Sequence, residues 1–429
     1  MMTSGNVLGL NARNRLFLSL NKKEGRKMAD SKLQTKRLLR KNHLPTPAIL
    51  AIFRTPRDIM DFPWETLPDN FVLKPSKGFG GQGVMMIKRQ AKWAGEWYLM
   101  DGRLITTQDL RFHALEILSG RFSLHNGTDV AFIEERIKIQ KIFARYVWHG
   151  VPDIRVIVFN KVPVAAMLRL PTRESQGKSN LHQGAIGVGV DLATGITTHG
   201  VLDGRFIKFI PETKRKINGL KIPNWSKILS LAVQTQEVIP ALGYLGVDIV
   251  LDKHRGPMIL ELNARPGLEI QNANLAPLKK RLERVEGLEV KNAEHGVRIA
   301  KSLFAERFAD RVMAEEGIKT INAVEKIKIL AGDKNKIETE AKIDTGAFRS
   351  SIDKNLAEQL GLLKEENILW KNRFEYRSAV GLQPRPVIGF TFWLAGRKIQ
   401  TTASVSNRSK MNYPVLIGRN DLIGFLIRP

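Results

Sequence analysis

No cysteine occurs among the 429 residues. Disulfides, thiol nucleophiles and cysteine-ligated zinc are therefore excluded. Long apolar runs are missing too: nothing approaches the roughly 18 uninterrupted apolar residues that a membrane-crossing helix needs. The first residues are polar and basic (Asn11, Arg13, Arg15, Lys22, Lys23) and hold no apolar signal core, so the expectation is a cytoplasmic protein without a membrane span. Serine-hydrolase chemistry lacks its Gly-x-Ser-x-Gly elbow. Histidine is scarce, with eight in all and none after His295.

Positive charge is what the chain has in excess. Lysine and arginine number 68 against 42 acidic residues, a formal net charge of +26. Such an excess attracts nucleic acid, acidic lipid surfaces or acidic peptides, and makes association salt-sensitive. No RNP motif or zinc finger accompanies it, so nucleic acid ranks below a basic surface around a polyanionic nucleotide site. The apolar share of 43% is ordinary for a globular protein, and the length calls for two to four domains or lobes.

Three segments follow from the patterning. Residues 1–45 form a short basic lead-in whose second half, 31–41, reads as a helix stopped by Pro45 and Pro47. Residues 46–320 alternate helical patches with strand-like runs at 70–74, 84–88, 130–134, 153–159, 162–170 and 246–251. Helical spacing over 294–314 is expected to close this domain. From Ile327 onward, short alternating strands are broken by Gly and Pro, with one helix near 354–360, so 325–429 reads as mainly β.

The sharpest local feature is Lys74-Pro75-Ser76-Lys77-Gly78-Phe79-Gly80-Gly81-Gln82-Gly83 between two strand-like runs. Glycines at 78, 80, 81 and 83 let the backbone turn its N–H groups onto phosphate oxygens, and Lys74 can neutralise charge on the same nucleotide. The spacing also satisfies Gly-x-Gly-x-x-Gly, but a dinucleotide site needs a helix next and a strand-like run follows instead. Downstream, Asp248 and the pair Glu261, Asn263 lie on two apolar runs flanking a turn at 253–257. Glu261 and Asn263, at i and i+2, share one face of a strand. Oxygen donors of this kind suit Mg²⁺ on nucleotide phosphates, and Arg265 beside them can stabilise a transferring phosphoryl group.

At this point the residues resemble the ATP-grasp superfamily, and within it the RimK-like α-L-glutamate ligases, from about Asp30 to Ala314. Asp30-Ser31-Lys32 with Leu44-Pro45 is similar to the family's opening element, and Lys32 matches its phosphate lysine. Lys74 and loop 78–83 match the second lysine and the glycine flap. Phe132-Ile133-Glu134-Glu135 resembles the strand that holds adenine, with Glu134 or Glu135 in the hydrogen-bonding positions. Asp153-Ile154-Arg155 resembles a "DIR" strand, and Ser179-Asn180-Leu181-His182-Gln183-Gly184 the segment near the acceptor. Gln183 stands where that group has arginine, which leaves the added amino acid open.

The resemblance implies ATP, with Mg²⁺ or Mn²⁺ held by Asp248, Glu261 and Asn263, and a carboxylate phosphorylated and then attacked by an amine. Arg155 and Arg265 would serve the acyl phosphate. Arg169, Asn180 and His182 would shape the acceptor pocket. An amino acid or amine donor and a carboxylate or peptide acceptor are the implied partners.

Asp344-Thr345-Gly346-Ala347 on an apolar strand, with Leu416-Ile417-Gly418-Arg419-Asn420 later, resembles retropepsins and, within them, the RimB-type domain. That type carries a zinc-protease label, but this segment has neither His nor Cys. A lone Asp344 would need a second copy across a two-fold axis, so the expectation is a homodimer through 325–429. The expected whole is an α+β ATP-grasp ligase followed by a mainly β retropepsin-like domain. A nucleotide-gated peptide-binding scaffold with an inactive protease-like domain is the alternative.

Overall fold

The computed structural model describes residues 7–123, 127–304, 319–370, 375–378 and 381–428. The chain divides into two compact units. The first takes the described residues of Met1–Phe159, Pro163–Val190 and Ile196–Arg284, and the second those of Asn160–Val162, Asp191–Gly195 and Val285–Pro429.

Two sheets build the first unit. The smaller has six strands in the order Ile49–Phe53, Ala131–Glu135, Phe71–Pro75, Met85–Gln90, Glu96–Leu99, Leu104–Thr106. Helix Thr107–Leu118 packs on it through Leu110, Ala114 and Ile117, at the 3–4-residue spacing of one helical face. The larger has seven strands, with Val162–Leu170, Asp153–Phe159, Tyr244–Asp252 and Gly256–Asn263 side by side at one end of the order. Val162–Leu170 and Tyr244–Asp252 are buried at every position. Strands covered on both faces read as unbroken apolar runs, so the acidic and basic residues inside them have to be paired.

The basic lead-in is integral to this unit. Helices Leu10–Leu16 and Lys23–Ala29 precede helix Lys32–Lys41, which Ser31 caps. Buried Arg13 donates to the Pro266 carbonyl. The Asn21 amide donates to the carbonyls of Tyr244 and Ala264 and accepts from the Tyr244 N–H. Helix Lys32–Lys41 stops at Asn42 and His43, where His43 takes a positive φ, before either proline.

In the second unit Val324–Leu330, Lys336–Asp344, Val415–Gly418, Ser350–Asp353, Arg397–Ser406 and Val387–Leu394 pair in sequence, and the last pairs back to the first. That closure makes a β-barrel filled by Ile327, Ile329, Phe390, Phe392, Val415 and Ile417. Helix Ala293–Leu303, capped by Asn292, belongs to this unit and packs on its strands, whereas the helical spacing was expected to close the preceding domain. At Gly296 the helix passes close to the turn after strand Asp153–Phe159, where a Cβ would come within 1.9 Å of the Lys161 carbonyl oxygen. The rest of the expected helix, 305–314, lies outside the described residues.

Candidate functional site

A cavity of about 1360 Å³ opens in the first unit. The smaller sheet contributes the 78–82 loop, Lys74, Glu134 and Glu135; the larger contributes Arg155, Arg169, Asp248, Glu261 and Asn263, and the loops add Asn180, His182 and Arg265. Lys32 reaches in from its helix. Every residue singled out from the sequence for the first unit thus lines one space, except Gly83, which stands behind the loop.

Gly80, Gly81 and Gly83 hold φ of 60°, 75° and 67°, values at which any side chain is strained. Gly83 is also packed, since a Cβ there would sit 2.6 Å from the Phe122 ring. The tip is tied down from across the cavity: the Gly80 carbonyl accepts from the amides of Gln183 at 3.0 Å and Asn180 at 3.3 Å. Lys32 donates to the Gly78 carbonyl and stands 3.5 Å from a Glu261 oxygen.

Lys74 ion-pairs with Glu134, which takes Lys36 on its other oxygen at 2.9 Å. All three side chains are buried. Burial alone would push the Glu134 carboxyl up, but Lys36 and Lys74 outweigh it and hold it below its ordinary value. Burial pulls Lys36 down to about 8 against the attraction of Glu134. The Glu134 side chain thus holds two lysines at the cavity wall. The Glu135 carboxylate accepts from the Ala48 N–H at 2.7 Å and pairs with Arg255.

On the floor, Arg155 and Asp248 face each other in register across adjacent strands. Arg155 donates from Nε and Nη2 to the two Asp248 oxygens at 2.7 and 2.6 Å. Arg169 spans Asp153 and Asp248, at 2.5 and 2.7 Å to the first and 2.6 Å to the second. Burial raises both carboxyls; the two guanidiniums carry Asp248 below its usual range, whereas burial and the like-charged Asp248 keep Asp153 raised against the pull of Arg169 and Arg155.

This differs from the expected metal trio. Asp248 has both oxygens on guanidinium groups because Arg155 lies opposite it on the neighbouring strand. Arg155 and Arg169 line the cavity with their guanidiniums paired to Asp248 and Asp153. Glu261 and Asn263 remain as oxygen donors at the cavity wall, with Asn263 Oδ1 accepting from the Arg265 N–H at 2.8 Å. Among the described residues no group of three His, Cys, Asp or Glu gathers as a metal centre. One carboxylate and one amide oxygen fit Mg²⁺, which keeps waters and phosphate oxygens as its other ligands. The lysines and the positive-φ glycines fit the phosphates. Arg265 is half-exposed and meets Asp30 at 3.2 Å. His182 is exposed, 3.8 Å from Glu269.

The sugar-transfer associated ATP-grasp family matches residues 11–287. This chain belongs to that family. The ATP-grasp match ends before the barrel begins. Similar solved structures include the ATP-grasp ligase PsnB complexed with minimal precursor, at 16% identity over 62% of this chain and 62% of that one, with a TM-score of 0.32. The D-alanine–D-alanine ligase of Bacillus anthracis with ATP gives 13% over 60% and 63%, TM-score 0.31. A Legionella pneumophila protein of unknown function gives 18% over 26% of this chain and 93% of that one, TM-score 0.18. The chain thus spans about three fifths of the PsnB length. No curated protein sequence matches it.

Three contributors to this ATP-grasp site escaped the sequence reading. Lys36 carried a faint signal, standing four residues after Lys32 on one helix. Asp153 was placed on its strand but not as the anchor of Arg169. Gln183 departs from the arginine of the resemblance, and its amide holds the glycine loop.

In the second unit Asp344 ends one strand, beside Gly418 of the parallel strand Val415–Gly418. Its Oδ1 accepts from the N–H groups of Gly346 and Ala347 at 2.9 and 3.1 Å. Strand Val415–Gly418 lies between the two strands that the Asp344–Ser350 turn connects, parallel to the first and antiparallel to the second.

Proposed function

We propose that this chain is an ATP- and Mg²⁺-dependent carboxylate–amine ligase. One observation carries the reading: a single cavity sets the glycine loop, Lys32 and Lys74 against Glu261 and Asn263. The nucleotide supplies a γ-phosphoryl group that makes a carboxylate oxygen a leaving group; an amine then gives the amide, releasing ADP and phosphate. For this chain the work is positioning and charge neutralisation. Lys32 and Lys74 meet phosphate charge, Glu261 and Asn263 hold the cation, and Arg265, only loosely tied, turns to the transferring group. Arg155 and Arg169 keep Asp248 and the floor rigid.

The finer reading is addition of an amino acid such as glutamate to a peptide or small carboxylate. It rests on the 179–184 segment, whose Asn180 and His182 line the same cavity. The barrel is read as a retropepsin-like module that trims or binds the product. Its support is the placement of Asp344 on a turn straddling strand Val415–Gly418. A nucleotide-gated peptide-binding scaffold is the second reading, favoured by the double arginine clamp on Asp248, one of the expected metal ligands.

ADP and phosphate release, measured with Mg²⁺ across amino acids and short acidic peptides, separates the two. A ligase shows turnover stimulated by one donor–acceptor pair, and Glu261→Ala lowers it by roughly two orders of magnitude. Nucleotide binding without turnover for any pair would sink the ligase and leave the scaffold.

A further inference from the structure

One segment concentrates positive charge beside bare aromatic rings. It starts at strand Arg205–Ile207, at the edge of the seven-stranded sheet, and continues as a short hairpin in which Phe209 pairs with Lys216. Ile210 and Lys208 close that hairpin through backbone hydrogen bonds with Arg215 and Ile217, at 2.9 and 3.0 Å. Ile210 and Ile217 are buried and anchor it to the sheet. Their neighbours point outward, leaving Phe206 58% and Phe209 53% exposed.

Around the rings stand Arg205, Lys208, Lys214, Arg215, Lys216 and Lys221, all exposed. The one carboxylate between 205 and 221, Glu212, accepts from the Arg173 N–H at 3.0 Å. None of these residues lines the cavity, so a nucleotide's phosphates do not account for the charge.

Phenyl rings have no polar tip, and two exposed within four residues are costly in water unless something covers them. A single nucleic-acid strand is held along a basic groove, whereas this segment is a projecting sheet edge with its apolar anchors beneath. A lipid surface is flat, negative and ready to take rings that enter the headgroup–acyl boundary while lysines meet phosphate. We propose that the 205–221 hairpin docks the protein on an anionic lipid surface through Phe206, Phe209 and the surrounding cations. The site is separate from the cavity, so it stands whether or not the ligase reading does.

The test is sedimentation of the full chain with vesicles of phosphatidylcholine alone or mixed with phosphatidylglycerol. Wild type pellets with the mixed vesicles only, and raised salt releases it. Phe206→Ser/Phe209→Ser and Lys208→Glu/Lys216→Glu each lower the partition coefficient by about tenfold or more. Lys326→Glu/Lys410→Glu, an equal charge reversal on exposed lysines elsewhere, leaves it unchanged. Because all these positions are exposed, unchanged melting temperatures confirm that each variant is folded. Equal loss in the control pair would overturn the proposal in favour of diffuse net charge. No vesicle binding, with a labelled single-stranded oligonucleotide bound and then lost in the same two variants, would overturn it in favour of nucleic acid.

Discussion

Lys36 does not reach the cavity surface, yet it shares Glu134 with Lys74, a lysine that does. Its pKa of about 8 against an ordinary 10.5 has a definite consequence for stability. Between those pH values the unfolded chain still holds the proton and the folded chain has released it, so this group's contribution to stability rises with pH. Below about 8 both states hold the proton and the full cost of the buried charge is present. Urea unfolding of wild type and Lys36→Met at pH 8 and pH 10 should show the wild-type increment missing from the variant. A parallel pH dependence in both proteins would refute the assignment. Glu261 belongs to the same scale: its carboxylate stands at the cavity wall with Lys32 at 3.5 Å.

Among the elements, the glycine loop separates conformational from steric demand. Gly81 and Gly83 both need positive φ. A Cβ at Gly81 would first meet the flexible Lys178 side chain, at 3.2 Å, whereas at Gly83 it would strike the Phe122 ring at 2.6 Å. Gly81→Ala should cost about 1 kcal/mol of loop strain and weaken nucleotide binding by roughly fivefold. Gly83→Ala adds overpacking of about 1–3 kcal/mol and should weaken it by tenfold or more beyond that. Calorimetric titration with a nucleotide measures both, and equal losses would show that the Phe122 contact yields freely.

For the whole molecule, the barrel offers one Asp-Thr-Gly turn per chain, at Asp344. If that turn serves peptide hydrolysis, two chains have to bring two carboxylates together, since a shared proton is what such a pair uses to activate water. Light scattering coupled to sizing should give twice the chain mass at micromolar concentration, and Asp344→Asn should abolish peptide cleavage without changing that mass. A monomer would remove the peptidase reading and leave the ligase untouched.

Much of this protein was legible in the chain itself, because local chemistry dictates it. Glycines at 78, 80, 81 and 83 prescribe a tight loop, the apolar runs 153–159, 162–170 and 246–251 prescribe buried strands, and Glu261 with Asn263 share a face by the two-residue repeat of a strand. The alternation after Ile327 announced a β domain for the same reason. What the tertiary structure alone decided is which charges neutralise which. Strand pairing sets Arg155 opposite Asp248, and Lys36 and Lys74 close on Glu134. Helix Ala293–Leu303 packs on the barrel strands Arg397–Ser406 and Val387–Leu394, partners that its own spacing does not name. Sequence spacing determines the face a side chain takes within its own element. Its partner, and so its charge and availability, depends on residues tens to hundreds of positions away that only folding brings within reach.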